Sequence, residues 1–258
     1  SKKHFGPFLK GIELVPFNDY EALKKLFEEK GEYIAAFSVE PIQGEAGVIV
    51  PDDDYWPKVS KLCKKYNILL AFDEVQTGFG RTGKMFAAEH YDIEPDIVTL
   101  AKGIAGGFPL AAVVGKSEIM DSPKESALGT TFGASPISCS AALGVLQVID
   151  KENVLENANN QAKLMQSSLE AIKEESNHIG DIRGLGPMIG VEIVHDKKSK
   201  KPAKDITEKI LDESKNRGLL LVSCGLDGNV IRFMGPLTTP LSQVEEAMEI
   251  FNESIKSI

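Results

Sequence analysis

ILLAFDEVQ, residues 68–76, sets five apolar residues directly before Asp73, Glu74, Val75 and Gln76. A continuous apolar run of this length, closed by polar residues, is the pattern of a strand buried on both faces. Three other runs share it: IAAFSV within 33–39, IVTL at 97–100 and LAAVV at 110–114. Helical spacing over 58–66 leads into the quoted stretch. Apolar strands alternating with helical connections predict an α/β fold, a mostly parallel sheet covered by helices on both faces.

Beyond this region the pattern changes. Residues 136–175 read as one long helical stretch with a break near Lys151-Glu152-Asn153. A strand at 188–194, a helix around 205–217, strands at 219–222 and 230–233 and a closing helix over 241–255 follow. These predict a smaller C-terminal α+β domain over 156–258, with 1–155 belonging to a larger α/β domain. DKKSKKPAKD at 196–205 reads as an exposed charged loop.

The 258 residues hold 29 Lys and Arg against 38 Asp and Glu, a formal net charge of −9. The basic residues are scattered, which argues against nucleic acid and anionic membrane as partners. Cys63, Cys139 and Cys224 are odd in number and far apart, fitting neither a disulfide framework nor a CxxC metal site, and a reducing cytoplasm is the expected compartment. SKKHFGPFLK at the start lacks the apolar core of a signal peptide, so a cytoplasmic enzyme or binding protein is expected. None of the four histidines has metal-site spacing.

In parallel α/β sheets ligands bind beyond the carboxyl ends of the strands, and the residues there are Glu40, Glu45, Asp73, Gln76 and Lys102. Lys102 lies in VTLAKGIAGGFPL, with no acidic residue between Asp96 and Glu118. An amine among apolar neighbours is a nucleophile at neutral pH and suits a Schiff-base lysine. The same position also suits a lysine whose stem lies along a strand end. Asp73 can hold a pyridoxal ring nitrogen protonated, or cap a turn. Thr130 and Thr131 precede the long helix, where they can bind phosphate or cap it. Arg232 in VIRF needs a carboxylate partner or a ligand. Gly78 to Gly83 matches G-x-G-x-x-G, but DEVQT separates it from the strand and puts two carboxylates beside the supposed pyrophosphate. A tight loop is the better reading of those glycines.

VEPIQGEAGV, LLAFDEVQTGFGRTG, LAKGIAGGFPLAAVVG and GTTFGASP occur in the order and spacing of class III pyridoxal-phosphate-dependent aminotransferases. IRGLGPMIGVEI and GLLLVSCGLDGNVIRFMGPLT most resemble the 4-aminobutyrate branch of that family. EPIQGEAG is also similar to the ornithine branch. The resemblance implies fold type I and pyridoxal 5′-phosphate bound as a Schiff base to Lys102. It also implies Asp73 on the pyridine nitrogen, Val75 against a ring face, Gln76 at the phenolic oxygen and Thr131 on the phosphate held by a neighbouring subunit of a homodimer. Arg232 would hold the substrate α-carboxylate, Glu45 would gate it, and Glu40 would lie toward the substrate amine. The activity implied is transfer from 4-aminobutyrate to 2-oxoglutarate, with ornithine or another ω-amino donor, or racemisation, as alternatives. The family's N-terminal phosphate and ring-stacking elements have no counterpart here, so the chain is expected to be the C-terminal portion of a longer polypeptide. A scaffold with a retired site, or a nicotinamide dehydrogenase, are the readings from other classes.

Overall fold

The structure, a computed structural model, describes residues 4–125 and 127–258. Helices α1 (Tyr20–Lys30) and α2 (Tyr55–Tyr66) flank strand β1 (Ala36–Val39) and lead to β2 (Leu69–Asp73). The Asp19 carboxylate accepts from Ala22 N–H at 2.9 Å, satisfying one of the unpaired donors at the start of α1. Asn67 ends α2 in the left-handed conformation at φ +55°, which asparagine tolerates better than most residues. Strands β3 (Ile97–Leu100) and β4 (Ala112–Gly115) complete a sheet of order β1-β2-β3-β4.

β1, β2 and β3 run parallel, with Val39 opposite Phe72 and Asp73 opposite Thr99. β4 is antiparallel to β3, because the turn of residues 102–107 reverses the chain without a crossover helix. The apolar runs thus mark the strands, with shifted ends. The first strand begins at Ala36 rather than residue 33, since Gly31–Tyr33 closes α1 with a 3-10 turn. Among the described residues the helices cover this sheet unevenly. α2 packs on β2, the helix of Pro136–Lys151 packs on the turn after β3, and Val113 and Val114 stay more than half exposed, at 55% and 53%.

After α3 (Ser117–Met120) come α4 (Pro136–Lys151) and α5 (Val154–Glu175). The long helical stretch divides at the expected place, Glu152 and Asn153, where Asn153 has φ +50°. Strands β5 (Ile179–Leu185), β6 (Met188–Ile193), β7 (Val222–Cys224) and β8 (Val230–Phe233) form an antiparallel sheet of order β5-β6-β8-β7. α5, α6 (Lys204–Asn216) and α7 (Leu241–Lys256) pack with this sheet around a core that includes Leu169, Val191, Ile231 and Phe251. The apolar run at 219–222 is mostly not a strand. Leu219 N–H closes the end of α6 on Ser214 O at 2.8 Å, and Leu219 and Leu221 fill the core from an unpaired segment. The charged stretch at 196–205 is exposed over most of its length and leads into α6.

Candidate functional site

The strand ends converge as parallel topology requires: β1 ends at Val39 before Glu40, β2 at Asp73, and β3 two residues before Lys102. A cavity of about 640 Å³ opens there, lined by Val75, Gln76, Phe79, Arg81 and Lys102 among others. Lys102 has φ +45°, a region that side-chain-bearing residues seldom occupy, and heads a 3-10 turn closed by Gly106 at φ +58°. A Cβ on Gly106 would sit 3.2 Å from Val145 on α4, so both the dihedral and the space call for glycine. Among the described residues no hydrogen bond or ion pair ties down the Lys102 amine, which is exposed rather than enclosed by the apolar strand. β3 ends at Leu100, two residues short of it.

Asp73 accepts from Val75 N–H through Oδ1 at 3.0 Å, which turns the chain so that Val75 and Gln76 face the cavity. Its neighbour Glu74 is fully buried. Glu74 accepts from Ala87 and Ala88 N–H, each at 2.9 Å, and from the Thr77 hydroxyl. Burial pushes its pKa up, while these donors oppose the rise. One carboxylate thereby holds both ends of the loop from residue 74 to 88. Glu74→Gln offers one oxygen and an NH₂ where two backbone donors need acceptors. The expected loss is roughly 2–3 kcal/mol, seen as a melting temperature lower by about 5–10 °C.

Glu45, Gln76 and Arg232 meet in one node. Arg232 donates to Glu45 Oε1 at 2.5 Å and Gln76 Nε2 donates to the same oxygen at 3.2 Å. The bond from Arg232 holds the Glu45 carboxyl below its ordinary range against the opposing desolvation, and Lys102 is close enough to add to the lowering. Arg232 is 13% exposed in its side chain, Glu45 71%. Among the described residues, the buried Gln76 Oε1 and Arg232 Nε of the node find no partner. Gly44 lies so close to Gln76 that a Cβ there would overlap its amide oxygen. Glu40 accepts from Gly44 N–H at 3.0 Å and shapes the same turn.

Thr131 is exposed in the turn of residues 130–133 and is not among the residues that line the cavity. Neither threonine caps α4, whose N-cap is Ser135 with Pro136 following. Gly80 and Gly83 have φ of +89° and +86°, and Gly83 N–H bonds Gly80 O at 2.9 Å, the tight loop expected of those glycines. A Cβ on Gly186 would come within 2.2 Å of the Thr82 backbone, so chain approaches chain there.

Arg81, Arg183 and the amides of α5 were not singled out in the sequence. Arg81 donates to Gly235 O at 2.9 Å, and burial lowers its guanidinium to about 10, leaving it charged at neutral pH. Asn159 holds Gly83 O at 2.9 Å, while Asn157 and Gln161 hold Leu237 O at 2.6 and 3.0 Å. Their only local signal was an uncharged polar run in a helix, which reads equally as solvent-facing surface.

The profile of the Aminotransferase class-III family matches residues 1–255. The 4-aminobutyrate aminotransferase of Escherichia coli is 39% identical over 266 residues, covering 96% of this chain and 62% of that protein. An alanine/serine racemase of Pyrococcus horikoshii is 38% identical, covering 99% of this chain and 58% of that protein. The solved ornithine aminotransferase of Toxoplasma gondii superposes with a TM-score of 0.90 at 33% identity, covering 99% of this chain and 58% of that one. The chain thus spans less than two thirds of the length of these relatives. On the profile match and these identities together, it belongs to the class III aminotransferases.

Proposed function

We propose that the intact protein transfers the terminal amino group of an ω-amino acid, 4-aminobutyrate foremost, to 2-oxoglutarate, giving succinate semialdehyde and glutamate. Membership of the family implies pyridoxal phosphate as cofactor. The residues suit it: among the described residues the Lys102 amine is untethered and the buried Gln76 oxygen has no partner, and Asp73 offers a carboxylate bonded through Oδ1 to Val75 N–H. Bound, this cofactor supplies a ring that accepts the electron pair left when the substrate C–H bond breaks. Lys102 would form the covalent link and carry the proton to and from the substrate carbon. Asp73 would keep the ring nitrogen protonated, Val75 would pack on the ring and Gln76 would steady the phenolic oxygen. Glu40 lies toward the substrate amine.

The observation that carries the donor assignment is the Glu45 to Arg232 pair. A substrate bearing an α-carboxylate displaces Glu45 and binds Arg232. One with no charge there leaves the pair closed, so that no bare guanidinium is exposed to it. Because the folded state lowers the Glu45 pKa, the closed pair is present at neutral pH and is lost as pH falls below the usual carboxylate range. Glu45→Gln is expected to slow the 4-aminobutyrate half-reaction about 10-fold more than the glutamate half-reaction. Single-turnover rates with each donor measure this, and equal losses would remove the gate.

Racemisation is the second reading, favoured by the similarity to the alanine/serine racemase. A racemase turns over without a keto acid and a transaminase stalls, so omitting 2-oxoglutarate separates them. Ornithine as donor is tested in the same assay. The exposed turn at Thr131, outside this chain's own cavity lining, supports a homodimer in which it serves the neighbouring subunit's phosphate. A cytoplasmic location and a division into domains near residue 155 complete the proposal. No described helix is long and apolar enough to cross a membrane.

A further inference from the structure

The loop that carries Glu45 is held by the second sheet. Gln43 and Ile49 close its neck with paired backbone bonds of 3.1 and 2.9 Å. Inside the neck, Gly47 has φ +122° and Val48 has φ +53°. A β-branched residue in the left-handed region is strained and persists only where its surroundings enforce it. Three contacts from the second sheet do so. Gly225, just after β7, donates to Glu45 O at 2.9 Å. Val48 is fully buried beside Met188, and a Cβ on Gly190 of β6 would be 3.0 Å from it. Arg183 of β5 donates through Nε to Gly47 O at 2.9 Å.

Arg183 is itself aimed. Its Nη1 is bound by Asp181 at 3.0 Å and Glu192 at 2.6 Å, which fixes the guanidinium plane and leaves Nε directed at the loop. Its side chain is 18% exposed, so the contact is largely shielded from water. Arg232 is paired in register with Gly190 on the adjoining strand. Both halves of the node are therefore referenced to one sheet, Glu45 through its loop and Arg232 through its strand.

We propose that Arg183 is a positioning residue that pins the strained 43–49 loop through Gly47 O, holds the Glu45 carboxylate at Arg232, and so sets the preference for donors lacking an α-carboxylate. This rests on the gate reading of Glu45. With the loop backbone fixed, the gate opens by rotation of the Glu45 side chain rather than by loop movement.

The test uses the full-length holoenzyme and the ratio of single-turnover rates for 4-aminobutyrate and glutamate. Arg183→Gln is expected to lower that ratio about fivefold, the size expected of a contact acting through one neighbour. Arg183→Lys, which keeps a donor for Gly47 O, should fall between Gln and the parent. In a Glu45→Gln background, Arg183→Gln should leave the ratio unchanged, since the group through which it acts is gone. An unchanged ratio in the single variant, equal losses in both half-reactions, or a further fall in the double variant would overturn the proposal. Should Arg183→Gln fail to fold, Arg183→Lys alone and in the Glu45→Gln background decides by the same criteria. If Glu45→Gln by itself leaves the ratio unchanged, the gate is absent and the role of Arg183 falls with it. A shift with Glu45→Gln but none with either Arg183 variant rejects Arg183 alone.

Discussion

Lys102→Ala is expected to lower turnover at least about 1000-fold, through loss of both covalent catalysis and the proton carrier, while the melting temperature stays within about 2 °C. The two outcomes separate because this lysine makes no hydrogen bond or ion pair among the described residues and is exposed. Its φ of +45° is strained for alanine as for lysine, so the substitution neither relieves nor adds backbone cost. Steady-state rates and a thermal melt on the same sample measure both. Borohydride reduction of the holoenzyme followed by peptide mapping should place the pyridoxyl group on Lys102. Turnover kept within tenfold would assign the lysine to a surface role.

Trp56→Ala should be the most damaging single change to stability, at about 3–5 kcal/mol. The indole is fully buried on α2, with ring centroids 4.7 Å from Phe72 and 4.8 Å from Tyr55. Its Nε1 donates to Pro41 O at 3.0 Å. Alanine leaves a cavity among aromatic walls that cannot close over it, and strands a buried carbonyl. The damage reaches function because Pro41 follows Glu40, whose carboxylate shapes the turn at Gly44 beside Gln76. Denaturant melts of Trp56→Ala and Trp56→Phe measure the two parts. Phenylalanine keeps most of the packing and loses the hydrogen bond, so its cost should be well under half that of alanine.

The strand ends were legible because the strands of this sheet are largely apolar runs, and the first charged residue after each marks the edge where ligands bind. Asp73 and Lys102 follow from that rule, and the need of Arg232 for a carboxylate follows from the apolar run around it. That the carboxylate is Glu45, 187 positions away, was suggested by family likeness and not by any local pattern. β5 was missed because IGDIRGL mixes two charges and two glycines into a strand with one solvated edge. The direction of β4 escaped for a different reason: a glycine-rich turn and a helical crossover can each follow an apolar strand. Arg183 gave no signal, since its use depends on the strained backbone of a loop about 136 residues earlier.

α5 has a bearing on how molecules come and go. Asn159 grips the loop at Gly83 while Asn157 and Gln161 grip the loop at Leu237 and Thr239, so one helix splints two walls of the cavity. Arg81 adds a direct tie from one wall to the other at Gly235. The two walls are thus held at one separation through backbone carbonyls that α5 and Arg81 grip. A wider opening for a bulkier molecule would first have to break those bonds.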